Sequence, residues 1–348
     1  MTAATTELRV DAQRARRLGE AVLHAAGAPA AHAAMQAGAL VEGDLRGRPS
    51  HGLQRLPTLV QRIRAGVLDP AATAALRWTG EAFLAVDGRD GFGPVAANAA
   101  IDALAERVPR SGIALAAIRR SGHIGMLAPY LERICAAGFA AIVLTTSEAL
   151  VHPAGGRTAL VGTNPIGIGV PAKPQPFVLD MSTAAISAGE IIAHAHRGAT
   201  LPQGRAVDEA GRPTTDPERA LAGAISPFGG AKGYGLGVGF ELLVALLSAT
   251  ALGRDVHGTL DVDQLATKGD VLIVLDPRAS VGDAVASVAS RIDDYLDELR
   301  AAPTAPGVPA VLVPGDRMRG ARARRQRDGI PYPAALWAQL ERLEESDV

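Results

Sequence analysis

Residues 167–172 read Gly-Ile-Gly-Val-Pro-Ala, and Pro174 follows two positions later. That glycine spacing is a dinucleotide fingerprint, in which a strand turns through glycines into a helix whose N-terminus meets a pyrophosphate. Proline cannot sit inside that helix, because it lacks the N–H and its ring collides with the preceding turn. Pro171 and Pro174 therefore exclude an ordinary Rossmann site where the sequence spells one. The other glycine-dense stretch, Gly233-Tyr-Gly-Leu-Gly-Val-Gly239, has no apolar strand before it and the wrong spacing for a P-loop. It reads as close helix packing.

Around these stretches the apolar period alternates between that of helices and that of strands. Leu18, Val22, Leu23 and Ala26, then Met35, Ala39 and Leu40, recur at helical spacing on either side of Gly27-Ala28-Pro29. A polar loop over 44–52 separates these two helices from a third over 53–67. Next come a strand over 76–86, the glycines Gly88, Gly91 and Gly93, and a helix over 95–107. Short apolar runs at 113–118 and 140–145 bracket a helix over 126–137. Further strands are expected at 166–170, 177–180 and 271–275, and helices at 184–196 and 240–252. Four prolines in 301–314 mark a linker, which leads to a last helix near Ala334. The fold class is α/β, with mixed α and β elements and no internal repeat.

Composition narrows the partner. The 348 residues suit about two domains. With 48% of them apolar and 20% charged, the chain folds around a large core. Thirty-five basic against thirty-six acidic residues leave a formal charge of −1, so no field draws the protein to nucleic acid or an anionic membrane. The six arginines of 317–327 have no interleaved aromatics for stacking bases and read as a solvated amphipathic terminus. The longest apolar stretch, 233–253, carries Glu241 and reads as a buried helix rather than a membrane span. Residues 1–11 show no secretory signal, and the single Cys135 cannot form an internal disulfide, so a cytoplasmic protein with a small-molecule partner is expected.

Five polar clusters are candidates for chemistry. Arg46, Arg48 and Arg55, with Ser50 and His51 among them, could grip a carboxylate by paired charge-assisted bonds while the imidazole hands on a proton; a solvated basic loop reads equally well from the spacing. His123, in Ser121-Gly-His-Ile-Gly125 just past an apolar run, suits general acid–base work, although lone histidines are often structural. Thr145-Thr-Ser147 with Gly162-Thr-Asn164-Pro165 could form an anion-binding concavity or simply turn the chain. Asp180 ends a strand before Met181, Ser182 and Thr183, whose hydroxyls could equally cap a helix. Lys232 is one of only three lysines and stands between glycines, where a compact cation could meet a phosphate, a carboxylate or a developing oxyanion, which makes it a candidate catalytic residue beside His51 and His123, or form a surface ion pair. No His-Glu-x-x-His occurs, and His194 and His196 point to different helix faces, so no metal is expected.

Together the chain resembles the malate/L-lactate dehydrogenase family of NAD(P)-dependent oxidoreductases, which also holds ureidoglycolate, sulfolactate and diketogulonate dehydrogenases and cyclic imino acid reductases. Six motifs carry the likeness: Asp44-Leu-Arg-Gly with Ser50-His51-Gly52, Ser121-x-His123-x-Gly125, Gly162-Thr-Asn-Pro165, Leu179-Asp-Met181, Pro213-Thr-Thr-Asp216 and Lys232-Gly-Tyr234. The resemblance implies a non-Rossmann cofactor domain with a mostly antiparallel sheet, joined to helical regions, in a homodimer. Its implied units are 1–75 with 305–348 (helical), 76–180 with 270–304 (cofactor-binding sheet) and 181–269 (a cap). It implies NAD or NADP as cofactor, and hydride transfer to C2 of a small 2-oxo acid, giving a 2-hydroxy acid. His123 takes the place of the proton-transferring histidine, and His51 lies in the motif lining the substrate pocket, with Arg48, Ser50 and Arg55 near it. Ser147, Asn164, Asp180, Met181, Ser182, Thr183, Lys232, Gly315 and Asp316 are the expected cofactor residues. The chain departs from the family at Arg48, commonly histidine, and at Ile124, Pro129 and Arg205, commonly aromatic, which implies a more anionic or differently shaped substrate. Reduction of a cyclic imino acid C=N bond is the alternative reaction, and a non-catalytic ligand sensor the alternative of another class.

Overall fold

Short apolar runs bounded by glycine and proline become strands, and the longer periodic ones become helices. The computed structural model describes residues 7–345; the first six residues, part of the stretch read as lacking a secretory signal, and the last three lie outside it. The chain begins with β1 (Glu7–Val10), α1 (Ala12–Ala25), α2 (Ala30–Leu45), α3 (Leu56–Arg64), β2 (Ala75–Trp78), β3 (Phe83–Gly91), α4 (Gly93–Ser111) and β4 (Ile113–Ser121). It continues with α5 (Ala128–Ala136), β5 (Ala140–Thr145), β6 (Ala149–Val151), β7 (Val161–Gly162), β8 (Ile166–Val170), β9 (Phe177–Met181) and α6 (Ala188–His196). Then come β10 (Ala206–Val207), β11 (Pro213–Thr214), α7 (Pro217–Ala222), β12 (Ala224–Ile225) and α8 (Ala231–Ser248). Last are β13 (Asp270–Leu275), α9 (Pro277–Val281), α10 (Val285–Ala301), α11 (Asp316–Asp328), β14 (Ile330–Pro333) and α12 (Ala334–Glu345).

Seven strands form the main sheet in the order β2-β3-β4-β13-β5-β8-β9. Only β3 and β4 run parallel; every other neighbouring pair is antiparallel. Alternation along each strand splits the sheet into two faces. Ala114, Ala116 and Ile118 of β4, Ala141 and Val143 of β5, and Leu272 and Val274 of β13 pack with α4 and α5. Leu144 and Val271 point the other way, against α8. A second core gathers α1 to α3, α12 and the two-stranded β1–β14 pair, so the two ends of the chain close one helical layer. A small sheet, β11-β10-β12-β6-β7, packs with α6 and α7.

The strand expected over 76–86 is the antiparallel β2–β3 hairpin, α7 and α10 were not expected, and two expected helices differ in extent or exposure. α6 begins at Ala188 rather than near 184, because the Ser187 side chain accepts the Glu190 N–H and caps it, while Ala184 bridges to Pro227. α8 begins at Ala231, so the glycine-rich stretch lies inside the helix: a Cβ on Gly233 would sit 1.9 Å from the Phe228 carbonyl oxygen, and one on Gly237 2.8 Å from Thr183 Oγ1. The expectation that this segment is buried needs correction. Only the side bearing Gly233, Gly237, Glu241, Val244 and Ser248 is covered, while Leu236, Leu242, Leu243 and Leu246 are exposed. α8 is long and apolar enough to cross a membrane by length and composition. Yet Glu241 in its middle is buried and accepts hydrogen bonds from Gly162 N, Asn164 Nδ2 and Gly253 N, tying the helix into the fold.

Candidate active site

The turn after α2 carries the first half of the site. Pro49–His51 and Leu53–Arg55 are single 3-10 turns joined by Gly52. The buried Asp44 carboxylate organises them, accepting the Leu53 N–H at 2.9 Å and the Tyr332 hydroxyl at 2.7 Å. Burial pushes this carboxyl up to about 7, against the lowering pull of those two bonds. Packing is tight enough that a Cβ on Gly52 would lie 1.8 Å from Asp44 Oδ1.

The second half comes off the end of β4. Arg89, Asp90 and Arg120 all take positive φ where β3 and β4 lose register, and Gly122 N donates to the Gly91 carbonyl at 2.9 Å. Beyond that bulge the chain turns through His123, whose ring centroid stands 5.2 Å from that of His51 with the planes tilted by 43°. Two histidines 72 positions apart in the sequence thus share one wall.

Both rings line a cleft of about 380 Å³ that also takes in Arg48, Ser50, Arg55, Ser147, Asp180, Met181 and Ser182. The Ser50 hydroxyl lies 3.0 Å from His51 Nδ1. Gly125 N–H donates to His123 Nδ1 at 3.2 Å, which leaves the proton of the neutral ring on Nε2. Burial, then the guanidiniums of Arg55 and Arg48, lowers His51 to about 4. Burial, Arg55, His51 and Lys268, in that order, hold His123 well below the usual imidazole range. Both imidazoles are therefore neutral near pH 7.

The three guanidiniums of the first cluster separate. Arg46 turns away and clips α2 to α5, bonding Glu42 at 3.0 Å and both oxygens of Glu132 at 2.8 and 2.6 Å. Arg55 donates to the carbonyls of Ser50 and Thr259. Arg48 reaches the cleft with no hydrogen-bond or ion-pair partner for its guanidinium among the described residues. Nothing local in the sequence marked the strap bearing Thr259 and Leu260, which also lines the cleft. Glu148 accepts the N–H groups of Thr259 and Leu260 at 2.6 and 2.8 Å, and the buried Arg62 holds the Asp261 and Gln264 carbonyls at 2.7 and 2.8 Å. Glu190, at the start of α6, is a further lining residue that sequence reading missed.

The expected cofactor residues divide in the same way. Ser147, Asp180, Met181 and Ser182 line the cleft. Asp180 Oδ2 also accepts the Leu127 and Ala128 N–H groups, both at 2.9 Å, at the start of α5. Burial raises its carboxyl, opposed by those two bonds and by Arg48 and Arg46. Asn164 is fully buried behind the wall, its amide nitrogen on the Gly237 carbonyl and Glu241 and its oxygen on Ser147 N. Thr183 is buried too, its hydroxyl on the Thr163 carbonyl at 3.0 Å. Lys232 is exposed on the first turn of α8 and does not line the cleft. Gly315 and Asp316 lie elsewhere again, Asp316 held by Arg300 and Arg319, the latter reaching the Pro176 carbonyl. A larger cavity of about 770 Å³ lies between 171–176 and α10 and is lined by no histidine. Among the described residues, no group of three His, Cys, Asp or Glu side chains could hold a metal ion.

Over residues 10–341 the chain matches the family described as malate/L-lactate dehydrogenase. It is 33% identical to a malate/(S)-sulfolactate dehydrogenase of Methanothermus fervidus, over 92% of this chain and 93% of that one. It is 37% identical to a Delta(1)-pyrroline-2-carboxylate reductase of Ancylobacter novellus, over 92% and 93%. Among solved structures, a dehydrogenase from Sinorhizobium meliloti superposes with a TM-score of 0.92 at 47% identity, covering 98% of this chain and 99% of that one.

Proposed function

The chain belongs to the malate/L-lactate dehydrogenase family, oxidoreductases acting on CH–OH or CH–NH groups, and from that premise we propose hydride transfer between a nicotinamide and C2 of a small 2-oxo acid, giving a 2-hydroxy acid. The paired imidazoles beside an unpartnered guanidinium carry this reading. The cleft suits a flat carboxamide-bearing ring: Leu127, Pro165 and Met181 are apolar walls, and Ser147 and Ser182 add hydroxyls. Ser147, Asp180, Met181 and Ser182 would hold it, with Asn164 and Thr183 fixing the wall from behind. NAD or NADP supplies or accepts the hydride when bound.

The protein's own part is charge, orientation and the proton. Arg55 and Arg48 bind the substrate's anionic groups and fix the carbonyl face. The proton-transferring role expected of His123 is reassigned here: its Nδ1 is taken by the Gly125 N–H, so its Nε2–H holds the carbonyl oxygen, while His51, whose Nδ1 meets a hydroxyl that can rotate to suit either state, exchanges the proton. During oxidation the neutral pair accepts the hydroxyl proton; during reduction it returns a proton to the oxygen. An anionic substrate beside the rings favours the charged imidazolium that reduction requires.

Homodimerisation is part of the proposal. The exposed leucines of α8 form an apolar face suited to a second copy, and Lys232 lies on the first turn of that helix, so its cofactor role is kept with the dimer. The turn at Gly315 and Asp316 is kept as a more distant cofactor contact. The three-part division, 1–75 with 305–348, 76–180 with 270–304, and 181–269, is kept as well; three principal apolar cores follow it in outline, with Val151 and Val161 of the second unit packed into the third core and Phe92 and Val95 into the helical one. A cytoplasmic setting is inferred from the single buried Cys135.

A second reading, reduction of a cyclic imino acid, is favoured by the 37% identity to a pyrroline-2-carboxylate reductase. A panel of 2-oxo acids, sulfonated analogues and cyclic imines, assayed with each reduced coenzyme at the nicotinamide absorbance, separates the two. Turnover of 2-oxo acids, best with those carrying a second anionic group, supports the first. Turnover confined to cyclic imines refutes it.

A further inference from the structure

Tyr130 is a buried titratable group with no part in the reaction described above. It stands in the first turn of α5, 5% exposed, in the same apolar core as Ile124. A hydroxyl taken into such a core costs free energy unless it is bonded, and a phenylalanine would fill the place without that cost. The hydroxyl donates to the Ile124 carbonyl at 2.6 Å. Burial, then the charge of Asp270, raises the phenol above its ordinary range, so it stays a donor throughout the neutral range.

What this bond holds is a peptide plane. The Ile124 C=O and the Gly125 N–H belong to one trans peptide, so they point in opposite directions. The N–H side donates to His123 Nδ1 at 3.2 Å. A phenol and an imidazole are thus joined through one rigid group, and a donor on its carbonyl also polarises its N–H into a better donor. Residue 125 adds no stiffness of its own: Gly125 takes φ +81°, and glycine adopts negative φ as readily. The ends of the loop are held elsewhere, Gly122 N–H on the Gly91 carbonyl at entry and the Leu127 and Ala128 N–H groups on Asp180 at exit. Between those anchors the Tyr130 bond sets which way the 124–125 peptide faces. With the plane turned over, its carbonyl would confront Nδ1, and the neutral ring would carry its proton there and leave Nε2 bare.

We propose that Tyr130 is a positioning residue for His123: by holding the 124–125 peptide it keeps Nδ1 of the ring an acceptor and the proton on Nε2. The inference rests on the reading that His123 Nε2–H holds the substrate oxygen, and the test separates the two.

Tyr130→Phe deletes one oxygen and keeps the apolar packing. Histidine labelled with nitrogen-15 is followed by NMR at neutral pH, the His123 ring being assigned by loss of its signals in His123→Asn. In the parent protein Nε2 carries the proton. In Tyr130→Phe the ring passes partly or wholly to the Nδ1–H form, and kcat for 2-oxo acid reduction falls about tenfold, as for a buried acceptor left without its donor. The Kd of the reduced coenzyme, read by its fluorescence, stays within about twofold of the parent, because the coenzyme wall is untouched. In a His123→Ala background the same change costs less than about twofold in kcat, there being no ring left to orient. A folded Tyr130→Phe whose ring keeps its proton on Nε2 overturns the inference, whatever its activity; a role in packing alone gives that result with a lowered Tm. Should the variant fail to fold, the parent decides: a ring proton on Nδ1, or a Tyr130 hydroxyl proton exchanging with solvent as fast as that of a free phenol, overturns the inference unaided. A change of tautomer with kcat unaltered upholds the positioning and instead refutes the part given to His123 in holding the substrate oxygen.

Discussion

Gly52→Ala tests how the Ser50–His51 turn is held. The backbone at Gly52, φ −98° and ψ −163°, is open to alanine, so the cost is steric rather than conformational. The new methyl would stand 1.8 Å from Asp44 Oδ1 and 2.3 Å from Cγ. The carboxylate can yield only by giving up bonds to Leu53 N–H and the Tyr332 hydroxyl. Well above pH 7, where the Asp44 carboxyl is ionised, each bond to a charged group contributes about 1.5–3 kcal/mol, so the loss is about 3–6 kcal/mol. With about 2.1 cal/mol/K per residue over 348 residues, that is about 4–8 °C in Tm for a single cooperative transition. Activity falls further than stability alone requires, because the displaced turn carries His51 and Arg55. The assay is a double-mutant cycle on Tm and on kcat/KM, with Asp44→Ala as the second change. Shortening Asp44 removes the collision, so Gly52→Ala adds little in that background. An equal cost in both backgrounds, or no cost in either, refutes the steric account.

Arg48→Met is expected to lower kcat/KM for 2-oxo acids with a second anionic group by about tenfold or more and to affect mono-anionic ones far less, as measured by steady-state kinetics. His51 is lowered in the folded protein to about 4, so the unfolded chain binds its proton first. Stability from this group is therefore full above pH 6.5 and is lost progressively as pH falls toward 4; His51→Asn flattens that part of a Tm-against-pH curve. Arg62→Met releases the strap at Asp261 and Gln264, raising KM and speeding amide exchange over 257–264 by mass spectrometry. Leu246→Arg, at a side chain 81% exposed, leaves the fold intact and shifts the proposed dimer toward monomer in sedimentation.

Much of the main sheet was legible because its strands are uninterrupted apolar runs with clear stops. β5 and β8 occupy the expected 140–145 and 166–170, bounded by glycine or proline nearby. The small sheet was not, since Ala206–Val207, Pro213–Thr214 and Ala224–Ile225 are too short to show any period. α8 was half seen: glycines that local preference reads as a break are helical here because backbone and side chains press against them. At the site, His51 and His123 stood out through their glycine-flanked polar turns, but nothing local told that Arg46 would be spent on Glu132 while Arg48 stayed free. The strap at Thr259 was invisible for the same reason, its place being set by Arg55, Arg62 and Glu148 from far along the chain.

The bond between Asp44 and Tyr332 spans 288 positions, and the β1–β14 ladder joins the same two regions. During synthesis the segment bearing His51 leaves the ribosome long before the phenol that steadies it has been translated. Loop closure of that size adds little to the equilibrium cost but postpones the event. Nascent chains stalled ahead of Tyr332 would carry a formed central sheet and a slack histidine turn, and competence for chemistry would arrive only once Tyr332 had emerged.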